Sequence, residues 1–167
     1  EKLKNLPVAA LQKTLAQMQL TNGAQDMVQV MRYYGATCVL VSGGFTFFTG
    51  EISKQCGFQF HHGNTLEITA DKLTGNILPP LLDKQAKLTY LTEYTSRLGL
   101  NAEDTLAVGD GANDIPMLLG AGLGIGYKPK PLVKEHVQNC IVYSDHMALL
   151  YMQGYNWSDI TIALSSS

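Results

Sequence analysis

The sequence predicts an α/β protein built on a doubly wound parallel sheet, with a small β-hairpin flap and a short helical segment ahead of the core. Three observations predict it. The runs Thr37-Cys38-Val39-Leu40-Val41 and Thr105-Leu106-Ala107-Val108 lack the alternation of a half-exposed strand, as expected of strands buried on both faces. Stretches of helical period separate the apolar runs, which argues for parallel pairing through crossovers. Polar residues stand where the runs end, at Ser42 and Asp110, on the carboxyl edge where such sheets bind ligands.

The elements follow in order. Leu6, Ala10, Leu11, Leu15 and Met18 form one helical stripe, with Pro7 suited to its first turn. A second helix is expected over residues 24–34, with Met27, Val30, Met31 and Tyr34 on one side and Gly35 as its stop. After the strand at 37–41, Ser42-Gly43-Gly44 is expected to turn into a helix holding Phe45, Phe48 and Ile52 and closed by Gly57. Residues 65–70, the turn Asp71-Lys72 and residues 73–78 read as the hairpin flap. Leu88, Leu91, Tyr94 and Leu98 give a helix after Asp83, ended by Gly99. The strand at 105–108 leads into the loop 109–114, then a short helix with Met117, Leu118 and Leu119. Leu123-Gly124-Ile125 is expected as a third strand, 132–137 as a helix, Cys140-Ile141-Val142 as a fourth strand and 147–153 as a terminal helix. Ser165-Ser166-Ser167 is expected to fray.

Composition narrows the class of partner. With 167 residues, 46% hydrophobic, 16% charged and a net charge of −2, the chain can bury a sizeable core. That balance lacks the clustered Lys and Arg of a nucleic-acid footprint. No apolar run approaches the roughly 20 residues of a membrane span. Glu1-Lys2-Leu3-Lys4-Asn5 lacks the apolar stretch of a secretory signal. Cys38, Cys56 and Cys140 are scattered and odd in number, which fits small buried residues in a reducing cytoplasm.

The strongest chemical signal is Val108-Gly109-Asp110-Gly111-Ala112-Asn113-Asp114. A carboxylate leaving a buried strand between two glycines has a backbone free to approach a ligand. Asp110 suits a hard cation such as Mg²⁺, which takes oxygen ligands and keeps waters and phosphate oxygens. Asp114 follows one helical turn later and is expected to point back toward the same spot. The plainer alternative is an Asx-rich turn capping the next helix, but one such residue would serve for that. Val41-Ser42-Gly43-Gly44 offers a hydroxyl and glycine amides at a strand end, an anion cradle, although Ser-Gly-Gly is also a common turn. Lys87 sits near a helix start, where a cation gains nothing from the dipole. That placement suits neutralising phosphate charge, the alternative being a solubilising surface lysine.

Other features carry less. The glycines of 120–126 lack G-x-G-x-x-G spacing, since Ile125 and Tyr127 stand where glycine is needed. Close packing of a thin strand explains them. His61 and His62 are adjacent on an expected strand and so face opposite ways, which argues for structural or surface roles over a shared metal. Phe45, Phe47 and Phe48 read as core and pocket wall.

At Ser42, Lys87 and 109–114 the chain resembles the haloacid dehalogenase superfamily, and more closely its bacterial phosphoserine phosphatases. Val41-Ser42-Gly43-Gly44-Phe45, Leu73-Thr74-Gly75-Asn76 and Gly109-Asp110-Gly111-Ala112-Asn113-Asp114-Ile115-Pro116-Met117 follow that family's order and spacing. So do Ala121-Gly122-Leu123-Gly124-Ile125 and Lys128-Pro129-Lys130-Pro131. The resemblance implies a Rossmann-like core and Mg²⁺-dependent hydrolysis of O-phospho-L-serine to serine and phosphate in the cytoplasm, the last step of serine biosynthesis. It further implies that Ser42 and Lys87 hold phosphoryl oxygens, with Gly43 and Gly44 offering backbone contacts. Asp110 would ligate Mg²⁺, while Asn113 and Asp114 complete the site. His61, His62 and Gly63 depart from the family's usual run before the flap.

In that family the first aspartate of a D-x-D motif attacks phosphorus and becomes an aspartyl-phosphate. This sequence contains no D-x-D. The expected division is therefore residues 1–22 as the end of a helical cap and 23–167 as a phosphatase core without its first strand. Such a chain is expected to be inactive alone. The strands at 37–41 and 105–108 are expected not to be direct ladder partners. A related phosphatase for another small phosphomonoester, or a non-catalytic phosphate- or metal-binding module, would carry the same residues.

Overall fold

The computed structural model describes residues 3–83 and 85–166. The chain forms two compact units, Glu1–Leu81 with Asp145–Ser167, and Leu82–Ser144; each is described by itself.

In the first unit, α1 (Val8–Gln17) follows Pro7, and α2 (Ala24–Tyr33) begins after the left-handed Gly23. Strand β1 (Val39–Phe45) leads into α3 (Thr46–Cys56), which ends on the left-handed Gly57. Strands β2 (Phe60–Thr69) and β3 (Lys72–Leu78) follow. The sheet order is β1-β2-β3, with β1 parallel to β2 and β2 antiparallel to β3. One long strand thus serves both the parallel core and the flap. The chain before α1 is pinned to β3: Asn5 N–H donates to the Leu73 carbonyl and Leu73 N–H to the Leu6 carbonyl. Leu11, Leu66 and Leu73 form a buried cluster with Leu3, Leu6, Phe45, Phe47 and Phe48 against it.

In the second unit, α4 (Ala86–Arg97) precedes β4 (Leu106–Gly109) and α5 (Ile115–Gly120). Strand β5 (Leu123–Tyr127), α6 (Pro131–His136) and β6 (Asn139–Ile141) complete it. All pairing in the sheet β4-β5-β6 is parallel. Ala107, Leu118, Val133 and Val137 are its core. The chain then returns to the first unit as α7 (Ala148–Met152) and α8 (Trp157–Ser165). There α2 packs on both, burying Val28, Val30, Leu149, Leu150 and Ile160.

The α/β class with parallel sheets is as expected, and so is the ladder. Val39 and Leu40 pair with Phe60 and His61, whereas Leu106 and Ala107 pair with Leu123 and Gly124. Several local expectations are corrected. Ser42-Gly43-Gly44 and Phe45 belong to β1, because the chain stays extended through a bulge and pairing resumes at Phe45↔Asn64. Strand β2 begins at Phe60, since β1 supplies hydrogen-bond partners for a segment with no apolar alternation of its own. The helix at 148–152 is not terminal: α8 was missed, although Asn156 and Asp159 cap it reciprocally, each side chain bonding the other's N–H. Ser165 ends α8, and Ser167 lies outside the described residues.

Cys38 and Cys56 are buried and Cys140 half-buried, all three as free thiols; burial pushes the Cys38 thiol up to about 11. Among the described residues no helix is long and apolar enough to cross a membrane.

The glycines at and just before the start of β5 are explained by close approach. A Cβ on Gly124 would overlap the Leu118 carbonyl, and one on Gly122 would reach 2.5 Å from the Glu103 Cα. Gly124→Ala should therefore destabilise the protein by about 3 kcal/mol, read as a lower urea midpoint with an unchanged slope.

Candidate active site

Strand β4 ends at Gly109, and the loop that follows closes as a 3₁₀ turn at Ala112–Asp114 before α5. This turn folds the Asp114 side chain back under the loop, where only 2% of it is exposed. Its Oδ2 accepts the N–H of Asp110 at 2.9 Å and that of Gly111 at 3.0 Å. Its Oδ1 accepts from Lys87 Nζ, the ammonium of the second residue of α4. Gly109 must be glycine here, because a Cβ would occupy the space of the Asp114 carboxyl.

Asp110 faces the other way. Its carboxylate is 61% exposed and lies 3.8 Å from Lys130 Nζ, while its backbone carbonyl accepts the Lys130 N–H at 2.9 Å. The two acids therefore divide their work. Asp114 is spent on Lys87 and two amides, and Asp110 keeps its oxygens for solvent or a ligand. Both carboxylates belong to one loop, but Asp114 faces inward to Lys87 and Asp110 faces outward. Asn113 is exposed.

Ser42, Gly43 and Gly44 lie in the bulge of β1, in the first unit. Ser42 Oγ accepts the Gly44 N–H at 3.0 Å, and Asn64 Nδ2 donates to the Gly43 carbonyl at 2.9 Å. His61 Nδ1 lies 3.0 Å from Thr49 Oγ1, a structural pairing. Sequence reading passed over two neighbours of these groups. Asn64 gave no signal because its meaning depends on register across β1 and β2. Lys130 stood in the Lys-Pro-Lys-Pro run but carried no assigned role.

For a divalent cation, the donor chemistry fits at Asp110: an exposed hard carboxylate on a glycine-flanked loop. Among the described residues no group of three or more His, Cys, Asp and Glu could hold a metal. Mg²⁺ does not require one, since it is usually held by one or two carboxylates together with phosphates and waters.

The family model of haloacid dehalogenase-like hydrolases matches residues 2–119. The chain belongs to that family. It is 36% identical over 148 residues to a phosphoserine phosphatase of Methanocaldococcus jannaschii, covering 89% of this chain and 70% of that protein. It is 33% identical over 161 residues to a phosphoserine phosphatase of Streptomyces coelicolor, covering 96% of this chain. The chain spans only 39% of that relative's length. Among solved structures, a probable phosphoserine phosphatase of Vibrio cholerae superposes with a TM-score of 0.87 at 30% identity, covering 99% of this chain and 50% of that one. A phospho-aspartyl intermediate analogue of phosphoserine phosphatase gives 0.85 at 35% identity, covering 90% and 72%.

Burial pushes the Asp114 carboxyl up, but the Lys87 hydrogen bond, the Gly111 N–H, the Lys87 charge and the Asp110 N–H together outweigh it and hold it below the ordinary carboxylate value. A group depressed in the fold contributes stability above its unfolded pKa, about 4, and loses it as pH falls through the lower folded value. Lys87→Met leaves the carboxylate buried without its cation and should cost about 3 kcal/mol at pH 7. Urea titrations from pH 7 down to pH 2 should show the difference between variant and parent shrinking as Asp114 protonates.

Proposed function

We propose that this chain forms the phosphate- and metal-handling part of a cytoplasmic phosphoserine phosphatase, which hydrolyses O-phospho-L-serine to serine and phosphate with Mg²⁺. The observation that carries this reading is the pairing of a nearly buried Lys87 with Asp114 beneath a loop whose other carboxylate, Asp110, faces outward. A fixed ammonium from α4 and an exposed hard-oxygen ligand on the loop it is tied to suit a doubly charged phosphoryl group and its counter-ion. Similarity to phosphoserine phosphatases along most of the chain supports the substrate.

Phosphoryl transfer needs chiefly positioning and charge neutralisation. Lys87 would meet the phosphoryl oxygens with an ammonium already oriented by Asp114, so little reorganisation is needed. Ser42 and the Gly43 amide would bind further oxygens, the Gly44 N–H being already given to Ser42 Oγ, and Asn113 would add a polar contact. Asp110 would hold Mg²⁺, which when bound supplies further neutralisation of phosphoryl charge. Asp114 acts as a positioning residue, holding Lys87 and the loop.

Two assays test the reading. In the full-length enzyme, Asp110→Asn should lower activity at limiting Mg²⁺ at least about tenfold, because an amide oxygen is a poorer ligand for a hard dication. Lys87→Ala should lower kcat about a hundredfold. Full activity of both variants at limiting Mg²⁺ would overturn the site assignment.

The second assay uses the 167-residue chain alone. Asp114 is committed to Lys87 and the loop amides, and Asp110 is assigned to the metal, so neither is left to attack phosphorus. Inorganic phosphate should bind in the presence of Mg²⁺ while phosphoserine turnover stays at background. Turnover of about 1 per second or more would overturn the expectation that this chain is inactive alone.

A further inference from the structure

The stretch His61–Asn64 has no part in the site as assigned above, yet it lies against the Ser42 bulge. Strands β1 and β2 pair from Val39↔Phe60 to Val41↔His62, then slip, and pairing resumes at Phe45↔Asn64. Within the slip, the peptide groups of Ser42-Gly43-Gly44 must find other partners or water. The peptide joining Gly43 and Gly44 finds two. Its carbonyl accepts from Asn64 Nδ2 at 2.9 Å and its N–H donates to Ser42 Oγ at 3.0 Å.

Carbonyl and N–H of a trans peptide point in opposite directions in one rigid plane. Fixing the carbonyl therefore aims the N–H. Asn64 is 8% exposed, and such burial restricts the freedom of its amide to turn away. Gly63 lets β2 come this close: a Cβ there would stand 3.1 Å from both the Gly44 oxygen and the Thr46 nitrogen, and 3.2 Å from Thr49 Oγ1. Because Ser42 Oγ already accepts one N–H, the hydroxyl proton is left to donate to something else.

We propose that Asn64 is a positioning residue for phosphate binding, acting through the Gly43–Gly44 peptide to orient the Ser42 hydroxyl as a donor. With its carbonyl held by Asn64, that peptide presents no negative dipole end to an incoming anion on the Ser42 side. The inference rests on the reading of Ser42 as a phosphoryl ligand.

A double-mutant cycle on the Kd of inorganic phosphate, measured by calorimetry on the full-length enzyme with Mg²⁺, tests it. Loss of one hydrogen bond should weaken phosphate binding about tenfold in Asn64→Ala. KM for phosphoserine should rise similarly while kcat stays within about threefold. Ser42→Ala should weaken phosphate comparably, and adding Asn64→Ala to it should change Kd less than about twofold, since Asn64 acts through Ser42. Unchanged phosphate affinity in Asn64→Ala, with a lowered melting temperature alone, would reduce the residue to a structural role and overturn the proposal. Independent, multiplying losses in the double variant would also overturn it. Unchanged affinity in Ser42→Ala would instead overturn the assignment of Ser42, and this proposal with it. If Asn64→Ala does not fold, the near-isosteric Asn64→Asp, which has no N–H to donate, is read by the same cycle with the same outcomes.

Discussion

The buried Asp114 carboxylate is the constraint on which the loop after β4 depends. An ionised carboxylate away from water is stable only with cations and donors around it, and here the donors are Lys87 Nζ and the amides of Asp110 and Gly111. Each has a consequence. The two amides curl the loop around the carboxylate, which brings the backbone at Gly109 so close that no Cβ fits. The ammonium ties the first turn of α4 to the loop. The outward direction of Asp110 follows, since its own N–H is turned inward to Asp114.

This arrangement gives two identical side chains different environments. Asp114 gains a low pKa and loses availability; Asp110 stays exposed and free to exchange partners. The difference comes from environment alone, as in other sites where paired carboxylates take different roles. Lys130 is tied to Asp110 through its backbone N–H, so the loop after β5 buttresses the loop after β4. Parallel neighbours place these loops at the same sheet edge, which is the usual reason ligand sites gather there.

Strand β1 solves a related problem by another route. Its two glycines leave the β2 ladder, and the lost pairing is made up by side chains, Ser42 from within and Asn64 from across. A bulge re-aims a strand where a sheet meets a ligand. The glycines therefore serve exposure of the backbone here, whereas Gly122 and Gly124 serve tight packing against Glu103 and Leu118.

The sequence by itself determined the class of fold and most element positions. Apolar period depends only on local order, and the motif at 109–114 is a contiguous string whose residue types state their use. Helix α8 was also legible, from Asn156 and Asp159 at cap spacing. Other features were decided by tertiary structure. That β1 runs on through Ser42-Gly43-Gly44, that β2 begins at Phe60, and that Asn64 meets Gly43 all depend on register between strands distant in sequence. That Asp114 is buried against Lys87, while Asp110 looks outward, depends on the approach of α4 to a loop that follows it in the chain. Residue type sets what a side chain can do; the partner brought to it through folded space sets which of those things it does.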